Sequence, residues 1–177
     1  MRMATIGLSV LALATTGCNI DAKPVGSALP DGRTAVAMLK TAAGVEIGRA
    51  SAREVEGGIR LTVDAKGLMP GDHGVHVHTI GRCDAPDFMT SGGHWNPTGA
   101  KHGSMNAMGP HEGDLPNLTV GTDGRGTVGV MVPGAMFDSL LDADGSAFVI
   151  HANRDDLMTD PSGNSGARIA CGVFAKS

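Results

Sequence analysis

Tyrosine is absent from this 177-residue chain and aromatic residues make up only 3% of it, whereas glycine reaches 27 residues. That balance disfavours long helices and points to short strands joined by many turns. Excess positive charge is lacking as well. With a formal net charge of -4 and no basic run, the chain has no electrostatic footprint for nucleic acid or an anionic membrane surface, so no nucleic-acid partner is expected. Nor does the apolar run at residues 4–14, preceded by Arg2, suffice for a membrane-spanning helix. It reads instead as part of an export signal. At this length one domain can bury a core of its own without needing metal merely to fold.

Cysteine is scarce and odd in number, with three residues. Cys18 follows Thr16-Gly17 as at the end of a bacterial lipoprotein box, although Thr15 stands where a branched aliphatic residue is usual. Ala12-Leu13-Ala14 offers ordinary signal cleavage as the alternative. A lipid on Cys18 accounts for the odd thiol. Cys83 and Cys171 are then left to pair across 171 - 83 = 88 residues, a closure that contributes roughly 4–5 kcal/mol in the chain-entropy model and needs an oxidising compartment. The expected organisation is a signal peptide over residues 1–17, a Pro- and Gly-containing tether over 18–32 and one domain over 33–177. The expected place is the periplasm, with a lipid anchor to the bacterial membrane on Cys18, and the chain is compatible with a monomer or a homodimer.

Strand periodicity is clearest where Ile59, Leu61, Val63 and Ala65 alternate with Arg60, Thr62, Asp64 and Lys66. Further strands are expected at residues 34–40, 46–54, 74–80, 118–121, 126–132, 147–152 and 171–175, with turn signals at Glu56-Gly57-Gly58 and Thr122-Asp123-Gly124-Arg125. About eight short antiparallel strands make an all-β sandwich or barrel. Residues 81–117 show no period. So long a loop in a compact domain needs something else to order it, and metal coordination is the candidate.

All seven histidines fall between His73 and His151. His76 and His78 are two apart, so on a strand both rings leave the same face and can converge on one ion. His73 is an odd step away and reads as a structural, hydrogen-bonded histidine. His151, on a neighbouring strand of one sheet or barrel wall, makes a third imidazole, a set that suits copper, zinc or nickel. In the long loop His94, His102, His111 and Asp114 offer three nitrogens and a carboxylate oxygen, the ligand set of a closed tetrahedral zinc site. Six histidines and one aspartate give seven ligands for eight places, so one ligand must serve both ions. A shared imidazole has to lose both ring protons, which two flanking cations favour.

Together, Gly74-Val75-His76-Val77-His78, Gly93-His94-Trp95-Asn96-Pro97, Lys101-His102-Gly103, His111-Glu112-Gly113-Asp114-Leu115 and Gly166-Ala167-Arg168-Ile169-Ala170-Cys171-Gly172-Val173 closely resemble the copper/zinc superoxide dismutase family, of the bacterial exported type. The likeness runs from about Arg33 to the end. It implies an immunoglobulin-like Greek-key β-sandwich or barrel of eight antiparallel strands with long metal-binding loops. It also implies that a copper ion binds His76, His78, His94 and His151, that a zinc ion binds His94, His102, His111 and Asp114, and that His94 bridges them. Asp155 then orients one ligand histidine of each metal, and a Cys83–Cys171 disulfide pins the long loop beside Arg168. Arg168 attracts and positions the anionic substrate superoxide, which alternating copper valence converts to dioxygen and hydrogen peroxide. His94 serves catalysis by leaving copper and taking up a proton.

Several positions depart from the better-known members. Trp95 follows the bridging histidine, the zinc loop carries Met105 and Met108, and the stretch 156–166 is short, changes that bear on substrate access and copper capture. The competing reading is a non-catalytic periplasmic copper/zinc-binding protein on the same scaffold. Arg168 separates the two, since a carrier needs no anion-guiding group beside its copper.

Overall fold

The computed structural model describes Gly26, residues 28–30 and residues 32–177. The expected signal peptide, Cys18 and most of the tether therefore lie outside the described residues. Alternating segments become nine strands: β1 (Thr34–Thr41), β2 (Glu46–Val55), β3 (Gly58–Lys66), β4 (Gly71–His73), β5 (Val75–His78), β6 (Leu118–Val120), β7 (Arg125–Pro133), β8 (Ala147–His151) and β9 (Arg168–Lys176). One helical turn, α1 (Phe137–Leu140), lies between β7 and β8, and a 3-10 turn (Met89–Ser91) interrupts the long loop. No helix among the described residues is long and apolar enough to cross a membrane.

Seven strands form one antiparallel sheet in the order β5-β8-β9-β1-β2-β3-β7, and β4 pairs with β6 in a second. Strand β5 falls within the strand expected at 74–80, and the short β4 just before Gly74 was not expected, so nine strands stand where about eight were expected. Before Gly74 the chain pairs with β6; after it, with β8. Gly126 of β7 packs against Leu118 and Thr119 of β6, and in this way the large sheet curls until its two edges are joined through the small one. Neighbours that are not consecutive in sequence, such as β3 with β7 and β5 with β8, are the crossovers of a Greek key.

Alternation decides which residues face inward. Ile59, Leu61, Val63 and Ala65 are buried, and Ala35, Ala37 and Leu39 of β1 share their side of the curl. Strand β2 changes parity, with Ile47 buried and then Ala50 and Ala52. The cause is a bulge: Leu39 pairs with Gly48 and Lys40 with Glu46, leaving Ile47 unopposed. One inserted residue flips every later side chain to the other face, so the bulge restores the apolar set to the core. Phe137, Leu140, Phe148 and Ile150 close the interior, each such side chain contributing about 1.5–3 kcal/mol by burial. A smaller cluster of Phe88, Ala147, Val149 and Cys171 lies beside Cys83. There the Cys83–Cys171 disulfide joins the long loop to β9, its Cα atoms 5.7 Å apart across a separation of 88 residues.

Candidate metal centre

Strand β5 is an edge of the large sheet, and the long loop covers it. Trp95 N–H donates to Val77 O at 2.8 Å, Val77 N–H to Gly113 O at 2.9 Å, and Thr79 N–H to Gly93 O at 2.9 Å. Bridges between His76 and Asp114 and between His78 and His94 complete this false strand. Loop residues are thereby laid against the strand residues of complementary chemistry, and the exposed edge that β5 would otherwise present is removed. From the other side, β8 pairs with β5 and carries His151.

The result is one cluster of His76, His78, His94 and His151, whose facing ligand atoms all lie within 4.8 Å of one another. In each ring one nitrogen is spoken for. His78 Nδ1–H donates to Gly92 O at 3.0 Å, His151 Nδ1–H to Gly166 O at 3.1 Å, His76 Nε2–H to Asp155 Oδ2 at 2.6 Å, and His94 Nδ1 faces Asp114 Oδ1 at 2.8 Å. Because the partners can only accept, the protons sit on those nitrogens and the opposite atoms carry bare lone pairs. His76 Nδ1, His78 Nε2, His94 Nε2 and His151 Nε2 are all buried without a hydrogen-bond partner. Burial lowers the pKa of each ring, His94 to about 4 and His151 to about 3, and neighbouring histidines push the same way. Four neutral acceptors converging without a donor would cost several kcal/mol if left so. The arrangement fits a cation that takes imidazole nitrogen, copper or zinc foremost.

A second set meets at one oxygen. Asp114 Oδ1 lies 2.8 Å from His94 Nδ1 and 3.1 Å from both His102 Nδ1 and His111 Nδ1, while Oδ2 accepts N–H bonds from Gly103 and His111. His76 also offers an atom within 4.8 Å of His94, His102 and Asp114. Its Nε2 is committed to Asp155, however, and His111 Nδ1 approaches His94 Nδ1 at 3.4 Å instead. Burial opposes charge on Asp114, but bonds from His102 and His94 outweigh it and hold the carboxyl well below its usual range. Three nitrogens and a carboxylate oxygen at this spacing fit zinc. His94 alone presents one nitrogen to each set.

Asp155 is fully buried and ties the two sets together. Oδ2 holds His76 Nε2, and Oδ1 accepts His102 Nε2–H at 3.0 Å and Leu157 N–H at 2.6 Å. Burial opposes its charge, yet the bonds from His102 and His76 keep it ionised below the normal carboxylate range. Burial lowers His102, but its bonds with Asp114 and Asp155 outweigh this and raise it to about 9. Gly163 lies over this bridge at φ 63, where a Cβ would stand 1.8 Å from Asp155 Oδ1 and 2.6 Å from His102 Nε2. Gly163→Ala should therefore weaken zinc binding by about tenfold through a displaced carboxylate, read by competition with a chromophoric chelator; unchanged affinity would show that the bridge does not set it.

Arg168 faces His151 across β8 and β9, where the register shifts between Ile150 and His151. Such a bulge re-aims side chains beside a site. The guanidinium donates to Phe88 O and Ser91 Oγ at 2.9 Å and to Gly92 O at 2.7 Å. Gly92 O thus fixes both Arg168 and His78, on the loop that Cys83 anchors. An open cavity of about 610 Å³ lies above, lined among others by His78, His94, His151, Arg168, Asp87 and Met89.

Other candidate residues fall elsewhere. His73 is buried, with Nδ1 2.7 Å from His151 O and Nε2 2.9 Å from Met69 O, and takes no place in either set. Trp95 points into the core and donates Nε1–H to Ser139 O at 3.2 Å, and it is not among the residues that line the cavity. Met105 and Met108 are on the surface. Asn117 was not legible as a site residue: its side chain donates to Asp155 O at 2.9 Å and accepts Asp155 N–H at 2.8 Å, locking the backbone of the bridging aspartate. Its only sequence signal is an Asn just before a strand.

Comparison with known proteins agrees with this geometry. A family model described as copper/zinc superoxide dismutase matches residues 45–174. A superoxide dismutase-like protein of Bacillus subtilis is 46% identical over 123 residues, covering 66% of this chain and 63% of that protein. A copper/zinc superoxide dismutase of Caulobacter vibrioides is 40% identical over 148 residues, covering 80% of this chain and 85% of that protein. The structure of a Cu/Zn superoxide dismutase from Brucella abortus superposes with a TM-score of 0.66 at 28% identity, covering 80% of this chain and 99% of that one.

Proposed function

Because the chain belongs to the copper/zinc superoxide dismutase family, whose members bind copper and zinc, we propose that it is an exported enzyme converting two superoxide anions and two protons to dioxygen and hydrogen peroxide. His76, His78, His94 and His151 would hold copper; His94, His102, His111 and Asp114 would hold zinc. Copper held there would supply the one-electron redox centre that this conversion needs. The chain's residues do the rest. Arg168, fixed by three acceptors, offers a forked cation to a small anion entering the cavity. On a net-negative protein that local field draws superoxide inward. His94 lines the cavity, and its Nε2 is the atom at which a proton can be taken up and passed on while Nδ1 stays held. Asp155 holds the proton of His76 on Nε2, so Nδ1 stays bare, and it orients the His102 ring.

One observation carries this reading: four unpartnered ring nitrogens converge below a cavity that also holds Arg168. The test is metal content measured beside superoxide consumption. Arg168→Ala should retain both metals and lower kcat/KM by about tenfold or more, with a flatter dependence on ionic strength. An unaltered rate and salt dependence would remove the steering role.

The name of the Bacillus subtilis relative, superoxide dismutase-like, favours a second reading, a copper/zinc-binding protein without turnover. Fully metallated protein that fails to consume superoxide would establish it. Within the proposal the chain is exported to the periplasm, residues 1–17 are removed, Cys18 bears the lipid and 18–32 form the tether to a domain over 33–177. The Cys83–Cys171 bond supports an oxidising compartment.

A further inference from the structure

Among the described residues the exposed large hydrophobic side chains are Met38, Val45, Met69, Met89, Met105, Met108, Met136, Met158 and Val173. Among the described residues no leucine, isoleucine or phenylalanine is exposed to that degree. A surface meant only to be apolar would draw on those residues too. Seven of these nine side chains carry a thioether, a soft donor that discriminates between metals.

Three of these methionines are brought together by backbone. Gly103 is seated on the neighbouring segment so closely that a Cβ there would lie 2.1 Å from Leu157 O and 2.6 Å from Met158 N. Met105 N–H donates to Leu157 O at 2.9 Å, which puts Met105 beside Met158, and Asn106 Nδ2 reaches Met158 O at 3.4 Å. Asn106 Oδ1 in turn accepts Met108 N–H at 3.1 Å, and Met108 O accepts Lys101 N–H at 2.9 Å. Met105, Met108 and Met158 are 63%, 68% and 49% exposed, so their ends are free to turn toward one another. Lys101, whose N–H donates to Met108 O, has its ammonium paired with Asp160 at 3.0 Å, which limits repulsion of a second positive charge.

We propose that Met105, Met108 and Met158 form a solvent-facing site for a soft monovalent cation, Cu(I), separate from both histidine sets. Thioethers suit Cu(I) and bind hard or strongly hydrated cations poorly, so calcium and magnesium are not its ions. Methionine's three rotatable bonds let the sulfurs close on an ion although the backbone is fixed. The segments concerned also carry His102 and Asp155, so captured copper would rest on the outer face of the polypeptide that builds the metal centre.

The test uses protein already loaded with copper and zinc, titrated with Ag(I) as a redox-inert stand-in for Cu(I), with the methionine methyl groups followed by carbon-13 NMR. The methyls of Met105, Met108 and Met158 should shift together and saturate near one equivalent, while Met69 and Met136, at 77% and 67% exposure, stay in place. Shifts that simply track exposure would overturn the proposal. Replacing all three by leucine keeps the apolar volume and removes the sulfur. That variant should bind Ag(I) at least about tenfold more weakly with superoxide consumption unchanged. Equal Ag(I) affinity in the leucine variant would also overturn it, as would methyl signals that respond to protein concentration and not to Ag(I), the mark of a contact between chains.

Discussion

Stripping both metals at neutral pH should abolish superoxide consumption and lower the melting temperature by about 15–30 °C. An ion present at about a thousand times its dissociation constant contributes about 4 kcal/mol to the folded state, and for a chain of this size each kcal/mol moves the transition by about 2–4 °C. The unmetallated centre keeps buried acceptors facing one another, so it gains nothing in return. The loss should deepen in acid. Burial depresses His94 to about 4 and His151 to about 3, against 6.5 for the unperturbed ring. Below pH 6.5 the unfolded chain therefore binds protons that the folded one refuses, and stability falls as pH drops through that window toward 3. Differential scanning calorimetry of metal-free and loaded protein from pH 7.5 to 4 checks both points. A melting temperature within a few degrees of the loaded protein, flat with pH, would mean the histidines are not arranged for metal.

Two substitutions of Asp155 should separate the roles of its two oxygens. Asp155→Ala removes the partner of His76 and of His102 at once and should weaken both metals by about 10–100-fold. Asp155→Asn is more selective. The bonds from His102 and Leu157 both go to Oδ1, so the amide oxygen belongs there, and the amide nitrogen then meets His76 Nε2, donor against donor. His76 can relieve this only by moving its proton to Nδ1, the atom aimed into the four-histidine cluster. Copper affinity should fall by about 10–100-fold while zinc affinity changes less, with a matching loss of activity at limiting copper. Separate copper and zinc competition titrations read the difference; equal losses of both metals in Asp155→Asn would refute the tautomer argument.

The physical basis for these expectations was unevenly visible in the chain. Strand β3 could be placed from its alternation alone, because a half-buried strand writes its burial into the sequence. Strand β4 was not expected, since the change of partner at Gly74 is made by β6 and β8, which lie far off in sequence. Helix α1 has too few residues to show a period. At the centre, residue chemistry named the histidines and Asp114 as candidates and the family resemblance added Asp155, whereas Asn117 and the carbonyls of Gly92 and Gly166 were out of reach. A backbone oxygen has no identity in sequence, and these matter only through where the loops bring them.

What the sequence determined on its own was local: the strand period, the shared face of His76 and His78, the supply of imidazoles, and cysteines able to form one bond. Tertiary structure alone decided which atoms meet. The loop laid along β5 puts His94 between His76 and Asp114, the shift in β8 and β9 sets Arg168 against His151, and Asp155 reaches two sets at once. Those outcomes depend on packing between segments up to 79 residues apart, and short-range propensity does not encode the register that settles them.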